Sequence, residues 1–292
     1  MTYPKNFTIE KNGKDIVVHG LPCFQADLIL DCGQAFRWNR IPDGSWSGMA
    51  ECHPLTLYQE KDARPGSPAS VRFCGISAEE FTDFWAPYFD LSRDYDAVLG
   101  TLAADKNMRS AADEFYGIRI LKQDPWEATL SFIISQNNNI PRIKGIVEKL
   151  CCTFGTQADE QHFAFPTPAQ LASLTEDDLQ PLRAGYRASY IIDAARKVDS
   201  GDIDLDSICA LPLEEAEEEI RRIKGVGPKV AQCALLYGFA QMNAFPRDVW
   251  VKRIMKELYP DGLPDCMDGI RGIAQQYLFH WRRNSEITEF GE

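Results

Sequence analysis

No run of about 20 apolar residues occurs in this sequence, so a membrane-spanning helix is excluded: the longest stretches, such as ALLYGFA at 234–240, are far too short. The first twenty residues, MTYPKNFTIEKNGKDIVVHG, carry scattered charges and no apolar block ahead of a small-residue cleavage site. No leader peptide is expected, and the default address is the cytoplasm, with association to the nucleoid if the source is bacterial. Metal-site cysteine spacing is also missing. The nine cysteines run from Cys23 to Cys266 with only Cys151 and Cys152 adjacent, and neither C-x-x-C nor a Cys/His spacing suggests zinc or an iron–sulfur cluster. An odd number in a chain too large to need stapling reads as free thiols in a reducing compartment. Finally, there is no cationic excess. Lys and Arg number 31 against 43 acids, a net charge of −12 that excludes a nonspecific nucleic-acid coat.

What is present supports a substantial core: 292 residues, 45% hydrophobic and 11% aromatic, without repeats or low-complexity tracts. Charge is unevenly spread. Residues 200–220 hold eight acids and no base, whereas 221–256 hold eight Lys/Arg and one acid, Asp248. A local cationic face can therefore coexist with an acidic total.

Up to about residue 75 the pattern is that of strands: KDIVVHGL, QAFRWNR, GSWSGMA, LTLYQE and SVRFCGI are β-prone runs separated by Gly, Pro, Asp and Asn. From SAEEFTDFWAPYF onward the period becomes helical. The chain is expected to be α+β. An antiparallel sheet domain with leading helices spans 1–115, and a helical domain spans 116–292.

Within the helical part, DPWEATLSFIIS starts with Asp124 as N-cap and Pro125 at the first helical position, and Gln136 with three asparagines stops it. LPLEEAEEEIRRI begins near Pro212 with an acid-rich first turn suited to the helix dipole. Gly225, Val226 and Gly227 separate it from PKVAQCALLYGFA, giving a helix-hairpin-helix over about 212–239. The two glycines predict positive φ and close approach of the backbone to another chain. The N–H groups that open the second helix suit an anion such as a phosphate, which marks Gly225, Gly227 and Val230 as candidate contacts. A bare G-x-G also fits a capped turn between two core helices.

Lys229 separates those readings. It stands in the first turn of a helix otherwise built from Val230, Ala231, Cys233, Ala234, Leu235 and Leu236. Desolvation and the positive end of the dipole both favour the neutral amine, which is a nucleophile able to form a Schiff base. Asp248 can join it: a helix over 228–239 is about 18 Å long at 1.5 Å per residue, and the loop AQMNAFPR can return about 26 Å. Because VWVKRIMKEL follows, Asp248 also reads as an N-cap, and the two roles are compatible.

Six motifs in order, GQAFRW (33–38), QDPWEATLSFIISQNNNIPRI (123–143), AGYRASYI (184–191), GVGPKVAQC (225–233), PRDVW (246–250) and AQQYLF (274–279), resemble the 8-oxoguanine DNA glycosylase family of the helix-hairpin-helix superfamily. The resemblance implies a repair enzyme that flips an oxidised guanine out of duplex DNA and excises it opposite cytosine, then nicks the strand by β-elimination. It implies Lys229 as nucleophile and Asp248 as the carboxylate that stabilises the cationic sugar. It also gives the Gly33 carbonyl as acceptor for the N7 proton that guanine lacks, with Gln275 reading the base edge, Phe279 stacking on the base and Cys233 forming the opposite wall. Gln275 and Phe279 lie on a pocket helix at about 268–283.

By the same resemblance Asn137 fills the gap left by the flipped base, Arg142 and Arg187 hold the orphaned cytosine, and Tyr186 wedges the stack. One departure is Trp250, where the family has a histidine. No dissociable cofactor is expected, although hairpin carbonyls could hold a monovalent cation bridging to phosphate. The expected partner is double-stranded DNA containing oxidised guanine, with no membrane, and the expected state is a monomer. The rivals are a glycosylase of this fold for an alkylated purine and a silent DNA-binding module. Gln275 and Gly33 speak against the first, and the second leaves the pairing of Lys229 with Asp248 unexplained.

Overall fold

The computed structural model describes residues 7–289, so the expected domains, 1–115 and 116–292, run at their outer ends into residues 1–6 and 290–292, outside the described ones. Six antiparallel strands form one sheet in the order β1-β2-β6-β5-β4-β3: β1 Thr8–Asn12, β2 Asp15–Leu21, β3 Trp38–Arg40, β4 Trp46–Ala50, β5 His53–Lys61 and β6 Ala69–Cys74. The period of two is visible in β6, where Ala69, Val71 and Phe73 are buried and Ser70, Arg72 and Cys74 are not. Their buried face packs on an aromatic cluster from the segment that follows. Trp38 meets Trp85 edge-on at 5.9 Å, and Phe73 meets Phe81 at 5.0 Å.

Two sequence expectations need correction here. The run QAFRWNR is a strand only from Trp38, because Gln34 and Arg37 are drawn away from the sheet by the helical part. The Gln34 amide donates to the Ile29 and Arg119 carbonyls at 2.9 and 2.8 Å and accepts from the Leu121 N–H at 2.9 Å. Arg37 pairs with buried Glu127 at 3.2 Å. Residues Ala26–Leu30, inside the region read only as strands, form a short helix that buries Ala26, Ile29 and Leu30. Its apolar content is too brief for periodicity to separate helix from strand.

The second apolar cluster is helical, and its centre is Pro125–Ser135, in which Trp126 through Ile134 are all buried. The helices Tyr95–Leu102 and Lys106–Glu114 pack into this cluster and not into that of the sheet. Helices Pro228–Tyr237 and Arg271–Glu289 belong to it too, and the first packs directly on Pro125–Ser135. No helix among the described residues is long and apolar enough to cross a membrane.

One fully buried cation joins the two clusters. Arg119 donates to the carbonyls of Cys23 (2.8 Å), Pro22 (2.8 Å) and Asp90 (2.9 Å), and its guanidinium lies 4.4 Å from the Tyr95 ring centroid. Replacing it orphans three buried carbonyls at once. Arg119→Met should therefore lower unfolding stability by about 3 kcal/mol or more, read as a fall in denaturant midpoint, and a loss under about 1 kcal/mol would contradict the role.

Candidate active site

The hairpin forms as its sequence demands, with Leu213–Arg221 leading into Pro228–Tyr237. Its two glycines serve different ends. Gly225 has φ +75, and a Cβ there would come within 2.2 Å of the Tyr190 ring, so the fold itself requires glycine. Gly227, expected to share that conformation, is extended at φ −94 and ψ 178, and a Cβ on it would meet nothing within 4 Å. No intramolecular contact explains Gly227. Its missing side chain instead leaves clear the free N–H groups that open the next helix.

The loop after the hairpin is tied back by one side chain. Gln232 accepts from the Phe245 N–H at 2.7 Å and donates to Glu217, which brings Asp248 round to the helix that carries Lys229. Asp248 caps Val249–Leu258, accepting from the Val251 N–H at 2.8 Å. The cap role and the position beside Lys229 coexist. Lys229 and Asp248 line one cavity, although no ion pair within 4.0 Å joins them among the described residues. The Lys229 amine instead stands 5.7 Å from the Phe132 ring centroid, and Cys233 lines the same cavity. Burial pushes the Cys233 thiol up from its ordinary pKa, and the neighbouring Lys229 pulls it down in part.

That cavity also gathers Gly33, Cys233, Gln275 and Phe279, the residues expected to hold the base. Gln275 is nearly inaccessible, yet its Oε1 has no hydrogen-bond partner. An orphaned acceptor in so dry a place is costly unless a ligand satisfies it. The cavity is small, about 60 Å³, room for roughly two waters at 30 Å³ each. A base everted from a duplex needs more room than that. The cavity is too small for a purine, which can enter only when the rim yields, where Phe279 is only half-buried.

On the other side of Lys229 lies an open groove of about 840 Å³, lined among others by Asn137, Tyr186, Gly225, Gly227 and Arg247. The lysine thus stands between a wide groove and a narrow pocket. Asn137 is exposed with φ +47, and Tyr186 is half exposed against the Tyr190 ring at 5.6 Å. Asn139 caps the next helix through the Arg142 N–H, and the exposed Arg142 side chain reaches, among the described residues, only the Arg183 carbonyl at 3.4 Å.

Arg187 differs from expectation. It is buried and donates to the Gln136, Asn137 (3.0 Å) and Ala184 (3.1 Å) carbonyls, with its guanidinium 4.6 Å from the Tyr186 ring. In the free chain it shapes the loop that presents Asn137, and it reaches a base only by releasing some of these bonds.

The cationic stretch is also less free than its composition suggests. Arg221 pairs with Glu217 at 3.6 Å, and Arg222 pairs with Asp202 and Glu219 at 2.5 and 2.6 Å. Lys224, Arg247 and Lys252 remain exposed. Among the described residues no cluster of three or more His, Cys, Asp or Glu side chains could hold a metal ion. Sequence reasoning missed Gln34, Gln232, Tyr237 and Gln276. A signal was present in AQQYLF, where two glutamines interrupt an apolar helix.

The chain is similar to known proteins over most of its length. Residues 20–129 match the family model described as 8-oxoguanine DNA glycosylase, N-terminal domain, and residues 130–262 match that of the HhH-GPD superfamily base excision DNA repair protein. The chain is 34% identical over 253 residues to the N-glycosylase/DNA lyase of Saccharomyces cerevisiae, covering 79% of this chain and 67% of that protein. It is 31% identical over 252 residues to the N-glycosylase/DNA lyase OGG1 of Arabidopsis thaliana, covering 80% and 66%. The chain thus spans about two thirds of the length of these curated relatives. The crystal structure of the Clostridium acetobutylicum 8-oxoguanine glycosylase/lyase, in complex with duplex DNA containing cytosine opposite 8-oxoG, superposes with a TM-score of 0.88 at 35% identity. That match covers 98% of this chain and all of the other.

The contrast between the glycines gives a direct test of the hairpin. Gly227→Ala should leave thermal stability nearly unchanged and weaken duplex DNA binding about tenfold, because its Cβ projects only into the groove. Gly225→Ala should destabilise the fold by more than about 1 kcal/mol. Equal effects of the two on melting would contradict this division.

Proposed function

The chain belongs to the 8-oxoguanine DNA glycosylase family of the helix-hairpin-helix base excision repair superfamily, and on that premise we propose that Lys229 excises 8-oxoguanine from duplex DNA and then cleaves the resulting abasic site. One observation carries the reading. Lys229 sits at the boundary between the groove and the pocket that holds the unsatisfied Gln275 oxygen. A nucleotide everted from DNA in the groove would pass its sugar by the amine and put its base against Gln275 and Gly33.

Lys229 attacks C1′ as the free amine, and the C1′–N9 bond breaks with its electron pair leaving on the base. Asp248 stabilises the positive charge that develops on the sugar. Its geometry is fixed because the same carboxylate caps a helix. Ring opening gives the imine, which acidifies the 2′ proton. Loss of that proton expels the 3′ phosphate and nicks the strand. No dissociable cofactor is required by these steps.

Selection of the oxidised base rests on the Gly33 carbonyl, which accepts from an N7 proton and faces a lone pair when guanine is bound. Selection of cytosine opposite it rests on Arg142, Arg187 and Tyr186, with Asn137 entering the vacated stack. For Arg187 this means exchanging loop carbonyls for base edges, so engagement of the orphan base and reshaping of the 136–137 loop would occur together. The reading takes the chain as a monomer, since one chain supplies every group named.

Borohydride should trap a covalent complex on duplex DNA carrying 8-oxoguanine opposite cytosine, and Lys229→Gln should abolish trapping while DNA binding persists. Trapping that survives this substitution would refute the lysine. The double duty of Asp248 is separable. Asp248→Asn keeps a capping side chain and should preserve stability while lowering excision about a hundredfold or more; Asp248→Ala should lose about 1 kcal/mol as well. Melting curves and single-turnover excision measure the two effects independently.

A further inference from the structure

Two residues beside the pocket, Gln276 and Tyr237, take no part in the chemistry above, yet they line the same cavity. Both are buried, and both are fully engaged. The Tyr237 hydroxyl donates to Gln276 Oε1, and Gln276 Nε2 donates to the Cys32 carbonyl at 3.3 Å. The neighbouring glutamine, Gln275, keeps its oxygen unpaired. One amide is spent inside the protein and the other is left for a ligand.

The hydroxyl decides which way the Gln276 amide faces. With Oε1 occupied by a donor, the NH2 group must turn toward Cys32. Tyr237 cannot shift easily, because its ring stacks on Phe132 at 5.2 Å and 19°. Burial holds its hydroxyl protonated and so able to donate. On the far side of Gly33, the Gln34 carbonyl accepts from Gln123 Nε2 at 2.6 Å, while the Gln34 side chain makes its own bonds to Ile29, Arg119 and Leu121.

The carbonyls before and after Gly33 are therefore both pinned, and that of Gly33 accepts no hydrogen bond among the described residues. Peptide groups are planar, so fixing the planes on either side leaves the middle one little freedom. Gly33 itself, at φ +85, holds a conformation that side chains rarely adopt.

We propose that Tyr237 and Gln276 form a positioning relay that fixes the Cys32 carbonyl and thereby aims the Gly33 carbonyl into the pocket, setting the preference for a purine that carries an N7 proton. The proposal rests on the assignment of 8-oxoguanine as substrate. Neither residue touches the reacting atoms; they act on selectivity through the backbone between them and the base.

Tyr237→Phe and Gln276→Leu, with their double variant, test it in single-turnover excision of 8-oxoguanine and of undamaged guanine, each opposite cytosine, beside cleavage of a pre-formed abasic site. Excision of 8-oxoguanine relative to the same variant's abasic-site cleavage should fall about tenfold, and its advantage over guanine should narrow similarly. The double variant should be no worse than Gln276→Leu, because the two bonds act in series. Ratios held within about twofold overturn the relay. So does a fall in both activities together, which marks the pair as structural. If the unaltered protein cleaves abasic sites but leaves 8-oxoguanine in place, the substrate assignment fails and the relay falls with it.

Discussion

The backbone from Pro22 to Gln34 leaves the sheet and offers its carbonyls to side chains of the helical part, and the site exists only because they are accepted. Arg119 takes those of Pro22 and Cys23, Gln276 that of Cys32, and Gln123 that of Gln34. Arg37, three residues further on, meets Glu127 on the central helix. Each neutral bond contributes only about 1 kcal/mol net. Leaving any of these groups unpaired in so dry a junction costs more, and that asymmetry makes the seam specific. It holds Gly33, from the segment between the Ala26–Leu30 helix and β3, against Lys229 and Gln275, which come from distant parts of the chain.

Polar groups buried this densely are a poor means of gaining stability. An apolar seam of equal volume would hold the two clusters together at least as well, since burying amides and a guanidinium gives back most of what their bonds return. What the polar seam supplies is direction. A carbonyl can discriminate a proton from a lone pair only if it cannot turn away, and aliphatic packing does not fix the rotation of a peptide plane. The same logic separates the two pocket glutamines: Gln276 is saturated and orients the wall, whereas Gln275 is left one bond short.

The hairpin, its lysine and the returning aspartate were legible because each is governed by local rules: proline at a first helical turn, an N-cap, glycine between two helices. The reach of the loop AQMNAFPR set a bound, and Gln232 then fixed the path within it. The β-prone run at 34–37 was misread because a hydrogen bond from Leu121 to Gln34 and one from Arg37 to Glu127 override local preference, and such long-range partners leave no trace in periodicity. Gly227 was misread for the opposite reason: a glycine does not say whether it serves a backbone angle or empty space. Arg187 shows the same limit, since its loop contacts and any contact with a base need the same residue. The order of motifs named residues that do line one cavity, but not how little room that cavity holds.

That tightness bears on how selectivity and reactivity are coupled. On the proposed mechanism the reactive amine borders a groove open to passing DNA, but the cavity beyond it, which would take the base, holds only a few waters. Opening the pocket costs free energy that only an inserted base can return, by stacking and by satisfying Gln275. A base that also satisfies Gly33 returns more of it than one that sets a lone pair against that carbonyl. Under the proposed function, discrimination is thus exercised twice, at entry and again in the geometry presented to Lys229. A single carbonyl can then reject the far commoner undamaged base without the pocket being large or strongly charged.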